Sequence, residues 1–489
     1  MASTVRGQGP SRQPGPWHPA PPPQAAPPRG RPTGPSHAVP SGPPRGAPPV
    51  PVLPAPTRFR AKAVLAAIWL GAAAVIWLWW KDTTGIHGLG DWLTNAGRIL
   101  GLLSGYGVVV LVALMARLPP LERGVGTDRL ARWHAMGGRY VIWLISGHAL
   151  LIIWGYAVTA NVNVVSETAT LLTRYSDVLM ATVAWFLLIG VGIVSMRAAR
   201  RRLRYETWYY LHFYTYLAVA LAFSHQFADG ASFVSSLAAR FWWSALYGTV
   251  AGLVLWFRVV APLHAFFRHG FVVSGVRDEA PGVVSIYIQG SRLRELSAEP
   301  GQFFRWRFLT REMWWQSHPY SLSAAPSDDT MRITVKDLGD HSGALRRLRP
   351  GTRVMAEGPY GAFTPDTAGR NILLLAGGVG ITPLRAMFAT LQGKVTLVYR
   401  ASSERDIVFR DEIDAIARAR GATVHYVVGS RAELGADPLS ADVLRRLVPG
   451  LHRQDVYVCG PSGMTEAAVA ALTEAGVSRR RIRYESFEF

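Results

Sequence analysis

Residues 133–157 read WHAMGGRYVIWLISGHALLIIWGYA. A run this long, with Arg139 as its one formal charge, can cross about 30 Å of hydrocarbon as a helix, and it carries two imidazoles, His134 and His148. The two are 14 residues apart, a rise of about 21 Å that returns to within about 40° of the same helix face. Ionisable side chains at membrane depth are costly and point to function. One such histidine alone reads equally well as a hydrogen-bonded core residue; a matching pair on another run changes the reading. That run is 207–227, TWYYLHFYTYLAVALAFSHQF, with His212 and His225 13 residues apart. Ideal helix sets them about 19.5 Å apart in depth but about 140° apart around the axis. The run therefore needs a local distortion such as a π-bulge, or one of the pair is not a ligand.

Four more apolar runs surround these two, at 61–80, 96–117, 178–196 and 241–261. Six in succession exclude a soluble chain and predict an all-α six-helix transmembrane bundle over 61–265. Basic residues crowd alternate loops: Arg58, Arg60 and Lys62 before the first run, Arg117, Arg123, Arg129 and Arg132 after the second, and Arg197, Arg200, Arg201, Arg202 and Arg204 after the fourth. The other loops balance Lys81, Arg174 and Arg240 with Asp82, Asp91, Glu167, Asp177 and Asp229. The positive-inside rule then puts both termini on the cytoplasmic side of a multi-pass protein, expected in the plasma membrane. His134 comes level with His212 near the cytoplasm, and His148 with His225 near the outer face. Two bis-imidazole sites in a bundle suit six-coordinate haem iron, whereas zinc or copper would need further ligands that these spans lack.

With these spacings the membrane half resembles the ferric reductase and NADPH oxidase superfamily. The resemblance implies two b-type haems held by His134, His148, His212 and His225. It also implies a role near the outer haem for Arg98, in Gly97-Arg98-Ile99-Leu100-Gly101, toward a propionate, superoxide or an acceptor; an interfacial snorkelling arginine is the plain alternative. Arg139 would need an anionic partner such as a propionate.

From about Phe271 short alternating strands with Gly and Pro turns predict a small antiparallel β-barrel, assigned to 268–366. Within it His318-Pro319-Tyr320-Ser321 resembles the flavin signature of ferredoxin–NADP reductase-like proteins, with histidine where soluble relatives often carry arginine. Val335-Lys336 leads through Gly339 to Ser342 and a short helix, a loop suited to the FAD diphosphate with Ser342 as N-cap or donor. Strands and helices alternate over 367–489, which predicts an α/β parallel-sheet nucleotide-binding domain. Its glycine turn holds Gly377, Gly378, Gly380 and Thr382, and Arg400 with Ser402 stands at the end of the next strand, favouring NADPH over NADH. Cys459-Gly460-Pro461 resembles the family's nicotinamide-positioning turn, Cys459 being otherwise a buried small residue. The resemblance makes Phe489 the aromatic that stacks on the flavin.

The formal charge is +20, and the lone cysteine permits no internal disulfide and no zinc site built on two or more thiolates. Residues 1–60 hold seven arginines, 19 prolines and no acid, so a disordered cytoplasmic tail is expected rather than a signal peptide. Most of the remaining +13 is placed at or near the inner leaflet, which leaves nucleic acid without support as a partner. Together the parts imply NADPH giving a hydride to FAD, then single electrons passing through two haems to oxygen or ferric iron outside. A six-span ion transporter or a quinol-fed haem subunit is the alternative. Protein partners and oligomeric state are not legible.

Overall fold

The computed structural model describes residues 58–487 except 84, 197–198, 200–201, 204, 235, 366–370 and 436. Residues 1–57 of the expected tail and Phe489 fall outside the described residues, while 58–60, expected in the tail, open the first helix.

The membrane half opens with α1 (Arg58–Lys81), α2 (Leu89–Leu114), the short α3 (Pro119–Val125), α4 (Thr127–Ala160), the amphipathic α5 (Val164–Arg174) and α6 (Val178–Ser195). Five of the described helical stretches are long and apolar enough to span a bilayer: 61–81, 89–114, 129–160, 178–195 and 237–269. The remaining expected span is broken. It forms α7 (Tyr205–His212) and α8 (Tyr214–Ala228), parted at Phe213. There the Phe213 amide donates to Tyr210 O at 3.1 Å and the Tyr216 amide to Phe213 O at 3.0 Å, bonds of i→i−3 type. The distortion is thus a tightened turn, opposite in sense to the expected π-bulge.

A π-turn occurs instead at Trp256–Val260, after the four-residue α9 (Ala231–Val234) and α10 (Leu237–Leu255), and joins α10 to α11 (Ala261–His269). Its cause is local: Pro262 has no N–H to offer the carbonyl of Arg258, so the ladder widens around it.

Helices α2 and α4 pack through small residues. A Cβ built on Gly97 would lie 2.9 Å from Ile152 Cδ1, and one on Gly107 2.7 Å from Val141 Cγ2. Such close approach is how membrane helices associate when no hydrophobic drive acts between them.

Helix α11 ends on Gly270 in the left-handed region (φ 57°) and passes through fully buried Phe271 into β1 (Val272–Ala280). There follow β2 (Val283–Gln289), β3 (Phe303–Phe308), β4 (His318–Ser321), β5 (Thr330–Lys336), α12 (Asp340–Ala344) and β6 (Val354–Tyr360). The expected barrel is two three-stranded antiparallel sheets, β1-β2-β5 and β4-β3-β6, linked by bridges Val272↔Arg353 and Leu322↔Ile333. Ile286, Ile288, Phe304, Trp306, Phe308 and Ile333 fill the space between them.

The last portion runs β7 (Ile372–Gly377), α13 (Ile381–Thr390), β8 (Val395–Ala401), α14 (Arg410–Arg420), β9 (Thr423–Val428), α15 (Arg431–Leu434), α16 (Ala441–Leu447), β10 (Asp455–Pro461), α17 (Ser462–Glu474) and β11 (Ile482–Phe487). All pairings are parallel, in the order β11-β10-β7-β8-β9. Every residue of β7 is buried. Ile372, Leu374 and Ala376 face one core and Leu373 and Leu375 the other, which is why this strand lacks polar alternation.

Candidate functional site

Helix α4 carries His134 and His148, and the α7–α8 segment carries His212 and His225. The ring centres of His134 and His212 lie 5.8 Å apart, and those of His148 and His225 6.4 Å apart. A metal–imidazole bond of about 2 Å on each side, extended to the ring centres, spans about 6 Å. Each Nδ1 is anchored: His134 to Leu111 O at 3.1 Å, His148 to Gly97 O at 2.9 Å, His225 to Ala222 O at 2.6 Å and His212 to Ser195 Oγ at 3.5 Å. Trp208 stacks on His212 at 5.3 Å and its indole N–H donates to the same Ser195 hydroxyl. A carbonyl partner makes Nδ1 the donor in His134, His148 and His225 and leaves Nε2 for a metal, whereas the Ser195 hydroxyl beside His212 can donate or accept.

Gly101 supplies the space for one ring, since a Cβ there would stand 2.7 Å from His148 Nδ1. Among the described residues no group of three or more His, Cys, Asp or Glu gathers. Two nitrogens per site fit iron whose other four bonds come from a macrocycle.

Arg98 lies one helical turn from Gly101. Its guanidinium donates to Asn95 Oδ1 at 2.9 Å and Ser232 Oγ at 3.2 Å, which ties α2 to α9. Arg139 is exposed on α4.

In the sheet pair, His318, Tyr320 and His341 form one surface. His318 and His341 stack at 3.8 Å and 25°, and Tyr320 stands 6.5 Å beyond His318. Pro319 is exposed, while Ser321 and Val335 are buried and Lys336 is exposed. His341 Nδ1 bonds Gln316 Oε1, but its Nε2 is buried with no partner. With Nδ1–H donating to that carbonyl oxygen, the neutral ring leaves Nε2 as an acceptor, which suits an N–H or O–H of a flavin rather than a phosphate oxygen. Ser342 is not the N-cap of α12. That place is taken by Gly339, and the Ser342 hydroxyl turns back to accept from the Leu338 amide at 2.8 Å and donate to Gly339 O at 3.1 Å.

Burial, then the neighbouring His318, pushes the His341 imidazole down to about 3. The unfolded chain takes up that proton near pH 6.5, so the stability held in the neutral ring is lost as pH falls from about 6.5 toward 3. Cofactor-free His341→Phe protein is therefore expected to lose less melting temperature than wild type between pH 7 and 5; an equal loss would remove His341 as the cause.

The glycine turn follows β7 and enters α13. Thr382 Oγ1 donates to Val379 O at 2.5 Å, and the Tyr399 hydroxyl donates to Gly378 O at 3.1 Å. Gly378 has φ 52° and open space around it. A Cβ on Gly380 would lie 2.2 Å from Cys459 O, so the turn sits directly on the Cys459-Gly460 backbone. The Cys459 side chain is fully buried in the sheet core, and burial pushes its thiol well up; any part it plays comes through the main chain. Pro461 is exposed at the end of β10.

Arg400 departs from a free phosphate reader. Its guanidinium donates to Val427 O at 3.2 Å and to Ala401 O and Gly429 O, while Ser402 is exposed beside it.

Two joints are not legible in the sequence. One links the membrane half to the sheet pair: the Tyr210 hydroxyl donates to Trp315 O at 3.0 Å, and Arg117, paired with buried Glu122 at 3.2 Å, lies over the Tyr360 ring at 4.8 Å. Tyr210 is two residues from His212. The other links the sheet pair to the parallel sheet. Arg332 grips Glu412 with two bonds of 2.8 and 3.0 Å, and Arg385 reaches the same carboxylate at 2.8 Å.

Residues 100–223 match the family described as ferric reductase like transmembrane component, residues 283–364 an FAD-binding domain, and residues 374–470 an oxidoreductase NAD-binding domain. The chain is 31% identical over 227 residues to the ferredoxin reductase component of 3-ketosteroid-9-alpha-monooxygenase from Mycobacterium tuberculosis, covering 43% of this chain and 62% of that protein. It is 30% identical over 191 residues to ferredoxin–NADP reductase B of Sorangium cellulosum, covering 35% and 77%. The chain spans a little under two thirds of the length of the monooxygenase reductases that it matches. Among solved structures, the FAD/NAD-binding domain of nitric oxide dioxygenase from Vibrio cholerae aligns with TM-score 0.39 and 24% identity over 44% of this chain and 97% of that one.

Proposed function

Because the chain belongs to the ferric reductase and NADPH oxidase superfamily, we propose that it is an NAD(P)H oxidoreductase that carries electrons across a membrane. The donor is NADPH at the parallel sheet, the intermediate carriers are FAD and two b-type haems, and the acceptor is oxygen or ferric iron on the far side. The observation that carries this reading is the pair of facing imidazole couples, His134 with His212 and His148 with His225, set about 21 Å apart in depth along α4. When bound, the flavin supplies the change from a two-electron hydride to single electrons, and the haems supply one-electron carriers.

The chain's own residues do the rest. The glycine turn and the Cys459-Gly460-Pro461 backbone hold the dinucleotide at the carboxyl ends of β7 and β10. His318, Tyr320 and the neutral His341 hold the flavin, with the burial-raised Tyr320 hydroxyl kept protonated. The Tyr210–Trp315 bond joins α7, which carries His212, to the loop that leads into His318, and this supports electron passage between the two. Four anchored imidazoles orient toward metal, and Arg98 offers a cation near the outer couple. The six-span count, the cytoplasmic placement of both termini and the plasma-membrane location belong to this proposal, as do the domain limits 1–60, 61–265, 268–366 and 367–489. Arg400, already bonded to backbone carbonyls, supports NADPH preference only with Ser402 beside it.

An anaerobic optical spectrum of detergent-solubilised, FAD-loaded protein before and after NADPH tests the proposal. Bands of b-type haem that appear reduced on NADPH addition, then reoxidise with oxygen or a ferric chelate, are the expected result. Haem that stays oxidised would transfer the reading to a quinol-fed subunit, and absence of haem would remove the histidine argument.

A further inference from the structure

We infer that Glu412 is the positioning residue for hydride transfer, fixing the dinucleotide half of the reductase against the flavin half; the inference rests on the NAD(P)H–flavin reading above.

Three cofactor-bearing segments converge on this one carboxylate. Arg332 lies on β5 and is nearly buried. Besides its two bonds to Glu412, its Nε donates to Ser323 Oγ at 3.0 Å and one Nη to Ser323 O at 3.1 Å, and the Ser323 amide returns a bond to Arg332 O at 2.8 Å. Ser323 stands two residues beyond Ser321, the last residue of β4, the strand that carries His318 and Tyr320. Its hydroxyl is held in turn by Thr334 Oγ1 at 2.8 Å, itself bonded to Ser285 at 2.7 Å; all three are buried. Arg332 is thus locked to the flavin strand.

Arg385 lies on α13, the helix launched by the glycine turn, and Glu412 lies on α14, the helix that follows the strand carrying Arg400. The guanidinium of Arg332 also stacks over Phe409, the residue before α14, at 4.5 Å. The carboxylate therefore ties flavin strand, dinucleotide turn and ribose-side helix together.

Burial alone would raise the Glu412 carboxyl, but the bonds and charges of Arg332 and Arg385 outweigh it and hold it below the usual carboxylate range. The group is ionised at neutral pH. A planar, bidentate grip fixes direction as well as distance, and direction is what hydride transfer needs. Misplacing reacting atoms by about 1 Å costs about 100-fold in rate. Among the described residues Arg385 Nε is buried without a partner, and the contact of this side chain with Glu412 is made through Nη2.

Anaerobic stopped-flow mixing of the FAD-loaded full chain with NADPH, followed at the flavin absorbance, separates positioning from binding. Glu412→Gln is expected to lower the limiting rate of flavin reduction about 10- to 100-fold, with bound FAD per chain and the apparent NADPH Kd within about twofold of wild type, the spread expected of a change that touches neither ligand. Glu412→Asp, which keeps the charge, recovers part of the rate. Should Glu412→Gln fail to hold FAD, Arg385→Met serves in its place: it leaves the Arg332–Glu412 grip intact and is expected to slow reduction with Kd unchanged. A limiting rate within about twofold of wild type in the folded variant, even with a lowered melting temperature, would make the cluster purely structural and overturn the inference. Failure of NADPH to reduce wild-type flavin would instead sink the underlying reading, and this inference with it.

Discussion

His212→Ala protein is expected to hold about half the haem of wild type and to pass no electrons from NADPH to the haem that remains. His212 is the member of the inner couple whose own helix meets the sheet pair, with Tyr210 two residues away bonded to Trp315. It is also the least tightly anchored of the four, its Nδ1 sharing Ser195 with Trp208, so alanine there removes a ligand while losing one weak bond and the Trp208 stack. His134 alone would hold a haem with one imidazole in place of two, and so weakly. The outer couple, about 21 Å deeper along α4, stays intact but lies beyond reach of the flavin. His225→Ala should behave differently: the same halved haem content, but with the remaining haem fully reducible by NADPH. Pyridine haemochrome assay for content and an anaerobic NADPH spectrum for reducibility read both variants. Two haems in His212→Ala, or identical spectra for the two variants, would dissolve the stacked-couple arrangement.

Gly101→Leu should abolish the outer couple without touching a histidine. Its Cβ alone would fall 2.7 Å from His148 Nδ1 and 2.9 Å from Cε1, and the ring cannot retreat while its Nδ1 holds Gly97 O. Either that bond breaks or α2 and α4 part, at a cost of about 1–3 kcal/mol from overpacking alone. A Cβ added at Gly138 on α4 would meet nothing within 4 Å, so Gly138→Ala is the matched control and keeps both haems. Haem content near one per chain in Gly101→Leu, with the residual haem still reduced by NADPH, is the expected result. Unchanged content would mean that the ring has freedom that the close packing denies it.

Much of this arrangement is open to a reader of the chain, because helix period and residue spacing carry it. Fourteen residues on one straight helix fix which face His134 and His148 share, and the all-apolar run Ile372–Ala376 can only be a strand covered on both sides. What spacing does not carry is local departure from ideal geometry. The His212–His225 mismatch signals that a distortion exists, yet its sense, a tightening at Phe213 rather than a widening, depends on competing backbone bonds. Pro262 is the sequence signal that marks Trp256–Val260 as the place for a π-turn.

Ser342 looks like a cap because hydroxyls favour that position, but the chain enters α12 one turn earlier than its sequence suggests. Arg400 looks like a free cation at a strand end because its acceptors, Val427 O and Gly429 O, are backbone atoms with no side-chain signature. Arg332, Arg385 and Glu412 are separated by dozens of residues and follow no period, so only the packed sheets reveal them. His341 reads in the sequence as one more residue of a phosphate loop; a second histidine within reach of His318 is the one clue to its place beside the flavin signature.

The stalk between the two halves has no slack. From Leu237 the chain runs through α10, the π-turn and α11 to His269, 33 residues without a break, then one glycine and the buried Phe271 at the root of β1. That length rises about 50 Å against about 30 Å of hydrocarbon, so its last turns reach past the apolar layer and pack on β6. A thinner bilayer tilts its helices, and a tilt of this continuous helix would be carried directly to the sheets at its foot.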